Sequence, residues 1–244
     1  MGTLGRYMIF LGSMFNNMES FRTYFKLFIE EAITIGVNSI FIVSIISTFI
    51  GAVTAVQTAY NIVSPLIEDY IIGNIVRDMT ILELAPTITA IVFAGKVGSN
   101  IASGLGTMRI TDQIDALEVM GVNSSSYLVL PKILASIAMY PLLVILAAFL
   151  SLFGGFLAST LSGLSSPQDY IYGLRFTFND FTVIFMLIKS VVFAFLVSSI
   201  SAFKGFYTQG GALEVGTSST KAVVSSCIAI LLADYLLAEL FLNK

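Results

Sequence analysis

Residues 82–122 read LELAPTITAIVFAGKVGSNIASGLGTMRITDQIDALEVMGV. The first part is apolar and rich in small residues, and the last is a short acidic amphipathic stretch. A membrane helix is therefore joined here to a short helix at the mouth of a membrane bundle, where a transporter can receive force from a soluble motor. Within TDQIDALEVMG, residues 111–121, Thr111 or a neighbour can cap the N-terminus and Gly121 can end the helix. Asp112 and Asp115 favour the positive end of its dipole. Asp112, Asp115 and Glu118 recur every three residues and share one face, while Ile114, Leu117 and the neighbouring Met120 form another. The plainer alternative is a loop helix floating its apolar side among lipid headgroups, which the acidic side chains oppose because anionic lipids repel them.

Composition sets the solvent. Apolar residues make up 57% of the 244 and charged residues 11%, and mean hydropathy is +0.92; a soluble domain carries about a quarter charged residues. These values describe an all-α polytopic membrane protein, one transmembrane domain over residues 1–244. The net charge of −3 and the lack of any basic run exclude a nucleic-acid partner. Cys227 is the single cysteine and histidine is absent, which removes intrachain disulfides, His- or Cys-based metal sites and any histidine base. No metal site and no catalytic residue is expected. No GxxxxGK[ST] loop occurs, so any ATP driving this chain binds to another one. The start, MGTLGRYMIFLGSMF, lacks the pattern of a cleaved signal peptide.

Residues 1–33 alternate apolar side chains with Asn16, Asn17, Glu19, Arg22, Lys26, Glu30 and Glu31, which suits an N-terminal interfacial helix on the cytoplasmic face. Five transmembrane helices are expected at about 34–58, 71–95, 133–163, 181–203 and 222–242, with the short acidic helix between the second and third. A polar loop, SSPQDY, follows the third. The second span carries Arg77, Asp78, Glu83 and Pro86, the fourth Lys189, and the fifth Asp234 and Glu239. Each needs an inward polar side, because a charge at the bilayer centre costs about 2.5–3.5 kcal/mol or more.

With the N-terminus inside and five spans, the cytoplasmic basic residues are Arg6, Arg22, Lys26, Lys96, Arg109, Lys132, Lys204 and Lys221. Those outside are Arg77, Arg175 and Lys244. The positive-inside rule favours this orientation, with a periplasmic C-terminus and the acidic helix in the compartment that holds ATP. Lys189 is left within the membrane. Pairing with Asp234 or Glu83 is the economical structural reading; the functional one makes Lys189 part of a cavity wall that meets a lipid phosphate. Gly95, Gly98 and Gly106 read as close-packing points between helices.

FAGKVGSNIASGLGTM and TDQIDALEVMGV stand adjacent and in order, and residues 187–224 read LIKSVVFAFLVSSISAFKGFYTQGGALEVGTSSTKAVV. Together these stretches resemble the MlaE (YrbE) family, the permease subunit of ABC-type lipid transporters that work with MCE proteins. The resemblance implies a homodimer in the bacterial inner (cytoplasmic) membrane. Two cytoplasmic ATPase subunits would hold ATP and Mg, and an MCE-domain protein would stand on the outer side. Phospholipid would pass between a dimer cavity and the MCE channel towards the outer membrane, sustaining lipid asymmetry. It further implies that residues 111–121 are the coupling helix (Thr111, Asp112, Ile114, Asp115, Leu117, Glu118, Met120). Glu83, Gly104, Lys189 and Asp234 are the candidate cavity residues. The chain departs from the family pattern at Gly104, where AELG or AEIG is replaced by SGLG, and RELGP becomes Leu82-Glu83-Leu84-Ala85-Pro86.

The resulting expectation is a permease that performs no bond chemistry and binds no cofactor of its own. The alternative is a self-sufficient proton-coupled secondary transporter relaying protons through Glu83, Lys189 and Asp234. An intramembrane Ser-Lys enzyme at Lys189 and Ser190 fails because adjacent helical side chains do not face each other.

Overall fold

The structure, a computed structural model, describes residues 3–14, 20–62 and 68–242. Asn16, Asn17, Glu19 and Lys244 of the sequence reading lie outside the described residues. Among the described residues all regular structure is helical. In chain order the α-helices are α1 (Thr3–Ser13), α2 (Phe21–Ala32), α3 (Asn38–Asn61), α4 (Tyr70–Met79), α5 (Thr89–Phe93), α6 (Ser99–Ile110), α7 (Gln113–Val119), α8 (Ser124–Leu161), α9 (Pro167–Arg175), α10 (Asp180–Phe206) and α11 (Ala212–Leu242). Three π-helical segments, Ile33–Val37, Thr80–Ile88 and Ala94–Gly98, join α2 to α3, α4 to α5 and α5 to α6.

Among the described residues five helices are long and apolar enough to cross a membrane: Arg22–Asn61, Tyr70–Ile110, Ser124–Leu161, Asp180–Phe206 and Ala212–Phe241. Their number agrees with the sequence reading; their ends do not. The second runs 41 residues, about 60 Å at 1.5 Å per residue, twice a hydrocarbon core of about 30 Å. A helix continues past the hydrocarbon core until something caps or breaks it, so Lys96 and Lys132, beyond the expected span ends, lie inside helices. Residues 1–33 form two helices rather than one, and the second continues into the first span through Ile33–Val37. The loop read at SSPQDY is the start of α9. Ser166 is its N-cap, accepting from the Asp169 amide at 3.1 Å and donating to Asp169 Oδ2 at 2.6 Å, with Pro167 at the first helical position where its missing N–H costs nothing.

The chain forms two compact units. The first comprises Met1–Ser39, Ala90–Tyr140 and Val191–Lys244. In it α1 is held by its Phe10, 1% exposed, whose ring meets Phe203, Phe206 and Tyr207 at centroid distances of 5.7, 5.3 and 5.7 Å. The Tyr7 and Ser199 hydroxyls are bonded at 2.7 Å; burial pushes the Tyr7 phenol above its usual pKa, with the Ser199 bond acting against it. A Cβ on Gly205 would stand 2.5 Å from the Ala102 carbonyl, so α10 and α6 touch through backbone. Gly98 and Gly106 are similarly crowded, by Ser201 and Thr208, whereas Gly95 and Gly104 face open space.

The second unit comprises Ile40–Thr89 and Pro141–Ser190. Its apolar core is Ala55, Ile72, Val76 and Tyr170, with Leu152, Phe156 and Leu174 packed against it. Burial raises the Tyr170 phenol pKa, keeping it a proton donor to Leu152 O at 3.3 Å. Glycine permits α3 and α8 to touch: a Cβ on Gly51 would lie 1.7 Å from Ser151 O, and one on Gly154 2.1 Å from Thr48 O. Backbone cannot yield as a flexible side chain does. Gly51→Ala and Gly154→Ala are expected to cost about 3 kcal/mol or more each and to abolish folded protein in membranes, measured by size-exclusion yield. Gly95→Ala should be neutral.

Candidate functional site

The candidate residues of the second unit meet where a broken helix faces α10. Pro86 sits inside the π segment Thr80–Ile88. It lacks the amide that an α-helix would place on the carbonyl four residues back, Leu82 O. Leu82 O accepts from Lys189 Nζ at 3.0 Å. The same ammonium donates to Glu83 Oε1 at 2.7 Å and lies 4.9 Å from the centre of the Phe185 ring. Lys189 is fully buried whereas the Glu83 side chain is 46% exposed, so the cation is hidden and the anion presented. The Thr87 hydroxyl approaches the other carboxylate oxygen, Oε2, at 3.5 Å. A buried ammonium with a carboxylate, a carbonyl and a ring about it has replaced most of its lost hydration. π segments of this kind occur often at functional sites. Leu84 and Ile88 of the same segment line an apolar groove with Phe49, Ile50, Val53, Thr54 and Gln57 of α3, about 330 Å³ in volume.

Arg77, counted above among the outside basic residues, is 3% exposed and serves the second unit structurally. Its Nη1 donates to Leu174 O and Phe176 O at 3.1 and 2.7 Å, carbonyls left open where α9 ends. Nη2 donates to Asn74 Oδ1 at 2.5 Å, and Nε to Asp78 Oδ1 at 2.9 Å.

Gly104 and Asp234 belong to the first unit. Asp234 is half-buried on α11. Gly104 lines a cavity of about 130 Å³ with Glu31, Thr34, Lys96, Asn100 and Lys132. Within it Lys132 is ion-paired to Glu31, and Lys96 donates to Asn38 O. A carboxylate thus stands in this cavity from α2 although position 104 has no side chain. Because a Cβ on Gly104 meets nothing within 4 Å, Gly104→Glu is expected to leave assembly and thermal stability within about 0.5 kcal/mol of the parent, read by unfolding of the purified protein.

The acidic helix is α7, two residues shorter at each end than the stretch read from sequence. Thr111 ends α6; Asp112 is the N-cap, in the left-handed region at φ 57° and without a side-chain capping bond. Gly121, at φ +80°, ends the helix with its amide donating to Glu118 O and the Val122 amide to Leu117 O, both at 3.0 Å, the paired closure that favours glycine. Ile114 is buried and Leu117 half-buried, but Met120 is 68% exposed and Val119 89%. Two of the three acids are engaged: Asp115 with Arg109 Nη1 at 2.5 Å and Glu118 with the Ser124 hydroxyl at 2.8 Å. What α7 offers outward is Asp112 and the apolar tip Val119 and Met120.

Five long apolar helices among the described residues define a multi-pass α-helical membrane protein. Residues 28–240 match the family described as Permease MlaE, and the chain belongs to that family. A probable ABC transporter permease protein of Rickettsia bellii (strain RML369-C) is 35% identical over 239 residues, 98% of this chain and 92% of the relative. One of Synechocystis sp. is 34% identical over 212 residues, covering 87% and 80%. The Arabidopsis thaliana protein named TRIGALACTOSYLDIACYLGLYCEROL 1, chloroplastic, is 32% identical over 215 residues, covering 84% and 59%. The chain is a permease subunit of an ABC-type transporter, a class that associates with ATPase components.

Proposed function

We propose that this permease passes phospholipid between the bacterial inner membrane and an MCE-domain protein on its outer side, as a homodimer driven by ATP hydrolysis on separate subunits. The observation that carries the reading is the pairing, on one π segment, of a polar and an apolar element. Glu83 contributes to a half-exposed ion pair with Lys189, and Leu84 and Ile88 to an apolar groove. A lipid has these two ends and a soluble solute does not. The lipid in the printed name of the Arabidopsis relative points the same way. Gly104 and Asp234, in the first unit, are carried as separate candidates for contact with lipid.

In this reading α7 docks on the ATPase, with the apolar tip entering a groove of the partner and Asp112 at its rim. Asp115 and Glu118 hold α7 to its own chain, so their reversal would perturb the fold first. The cleaner test is Val119→Asp with Met120→Asp, alongside Asp112→Lys. The double aspartate is expected to reduce recovery of the ATPase with the tagged permease at least about tenfold, the loss of a small hot spot, and to stop ATP-dependent lipid transfer to vesicles. Lipid transfer that persists without ATP and follows a proton gradient would overturn the proposal in favour of secondary transport.

A further inference from the structure

We infer that the first unit carries a second lipid site, for an anionic phospholipid, at the adjoining ends of α10 and α11. A groove of about 420 Å³ is lined there by Lys204, Thr217, Thr220, Lys221, Val224 and Ser225. Lys96, Lys132 and Lys189 are each bonded within the protein; among the described residues Lys204 and Lys221 have no ion pair or hydrogen bond through their ammonium groups. Thr217 and Thr220 spend their hydroxyl protons on Glu214 O and Gly216 O. The donors left facing the groove are two ammoniums and the Ser225 hydroxyl, a set that suits a ligand made only of acceptors, such as a phosphodiester.

The apolar side of the site distinguishes a lipid from free phosphate. Val224, Ile228, Leu231 and Tyr235 follow Lys221 at helical spacing, one above another on α11, and all are exposed. Each lysine also stands at the end of a charge-free stretch, 190–203 for Lys204 and 222–233 for Lys221, the depth at which headgroups meet acyl chains. A phosphodiester at the two lysines would leave its acyl chains along that stripe. Both lysines fall in the basic set assigned to the cytoplasmic side, where anionic lipid concentrates. This site shares no residue with the Glu83 and Lys189 pair and holds whichever cargo the transporter moves.

The test uses the full transporter complex in detergent, titrated with phosphatidylglycerol, phosphatidylcholine or inorganic phosphate and read by native mass spectrometry and thermal unfolding. Phosphatidylglycerol is expected to bind saturably and to raise the unfolding temperature, with phosphatidylcholine and phosphate weaker. Lys204→Gln with Lys221→Gln is expected to weaken phosphatidylglycerol binding about 30-fold, the usual order for two lysines at an anionic surface, while Lys204→Arg with Lys221→Arg preserves it. Undiminished binding in the glutamine variant overturns the proposal. So does phosphate matching phosphatidylglycerol, which would mark a free-anion site, or dissociation of the complex to single permease chains on Ile228→Ser with Leu231→Ser, which would give the stripe to a second copy.

Discussion

Glu83→Gln is expected to destabilise this permease more than Lys189→Met, although the two residues form one ion pair. The asymmetry follows from burial: Lys189 is fully enclosed and the Glu83 side chain is 46% exposed. Removing the carboxylate strands a buried ammonium with Leu82 O and the Phe185 ring, and breaking a buried pair in this way costs about 3 kcal/mol or more. Removing the ammonium leaves a carboxylate that water can reach, at about 1 kcal/mol, the ordinary scale of an exposed pair. The double variant should recover most of the Glu83→Gln loss, because an apolar side chain replaces the stranded charge. Thermal unfolding of the purified complex gives the ranking, and lipid retained through purification reports the site separately. A Lys189→Met variant that unfolds earlier than Glu83→Gln would contradict the description of a hidden cation and a presented anion.

Arg77→Ala is expected to have the second large effect, loss of folded protein from the membrane with a cost of about 3 kcal/mol or more. Its guanidinium takes two carbonyls at the C-terminal end of α9, the Asn74 amide oxygen and the Asp78 carboxylate together. Deleting it leaves buried acceptors without donors. Arg77→Lys should rescue little, since one ammonium cannot span a planar fork of partners in several directions. Membrane yield and protease resistance of the segment around α9 would measure both, and a stable, protease-resistant Arg77→Ala protein would refute the role.

The five spans were legible because long, predominantly apolar stretches have no other solvent than lipid or a buried core. The acidic helix was legible at its C-terminus for a local reason: Gly121 closes α7 by two backbone bonds at a positive φ. Its N-terminus was not, since Asp112 stands there without capping through its side chain. The Ser166-Pro167-Gln168-Asp169 start of α9 carried a readable capping signal that was passed over as a loop because the segment is polar. The π segments were beyond reach: Pro86 announces a break in an α-helix, but which carbonyl is left open and which residue answers it depend on Lys189, more than a hundred positions away. The same distance hid the role of Arg77, whose carbonyl partners Leu174 O and Phe176 O lie at the end of α9. At Gly104 the family resemblance pointed to a missing carboxylate, while Glu31 in the same cavity could only be found by folding α2 beside α6.

The open space at Gly95 and Gly104 has a practical side. Cys227 is the one cysteine in the chain, so a single Cys227→Ser change yields a thiol-free background. A cysteine placed at 95 or 104 would meet no neighbouring atom within 4 Å of its Cβ, which leaves room for a spectroscopic label. Position 104 reports from the Glu31 and Lys132 cavity, position 95 from a bare face of the same long helix. The two glycines at which natural side chains are missing are therefore the places where this transporter can be watched while it turns over.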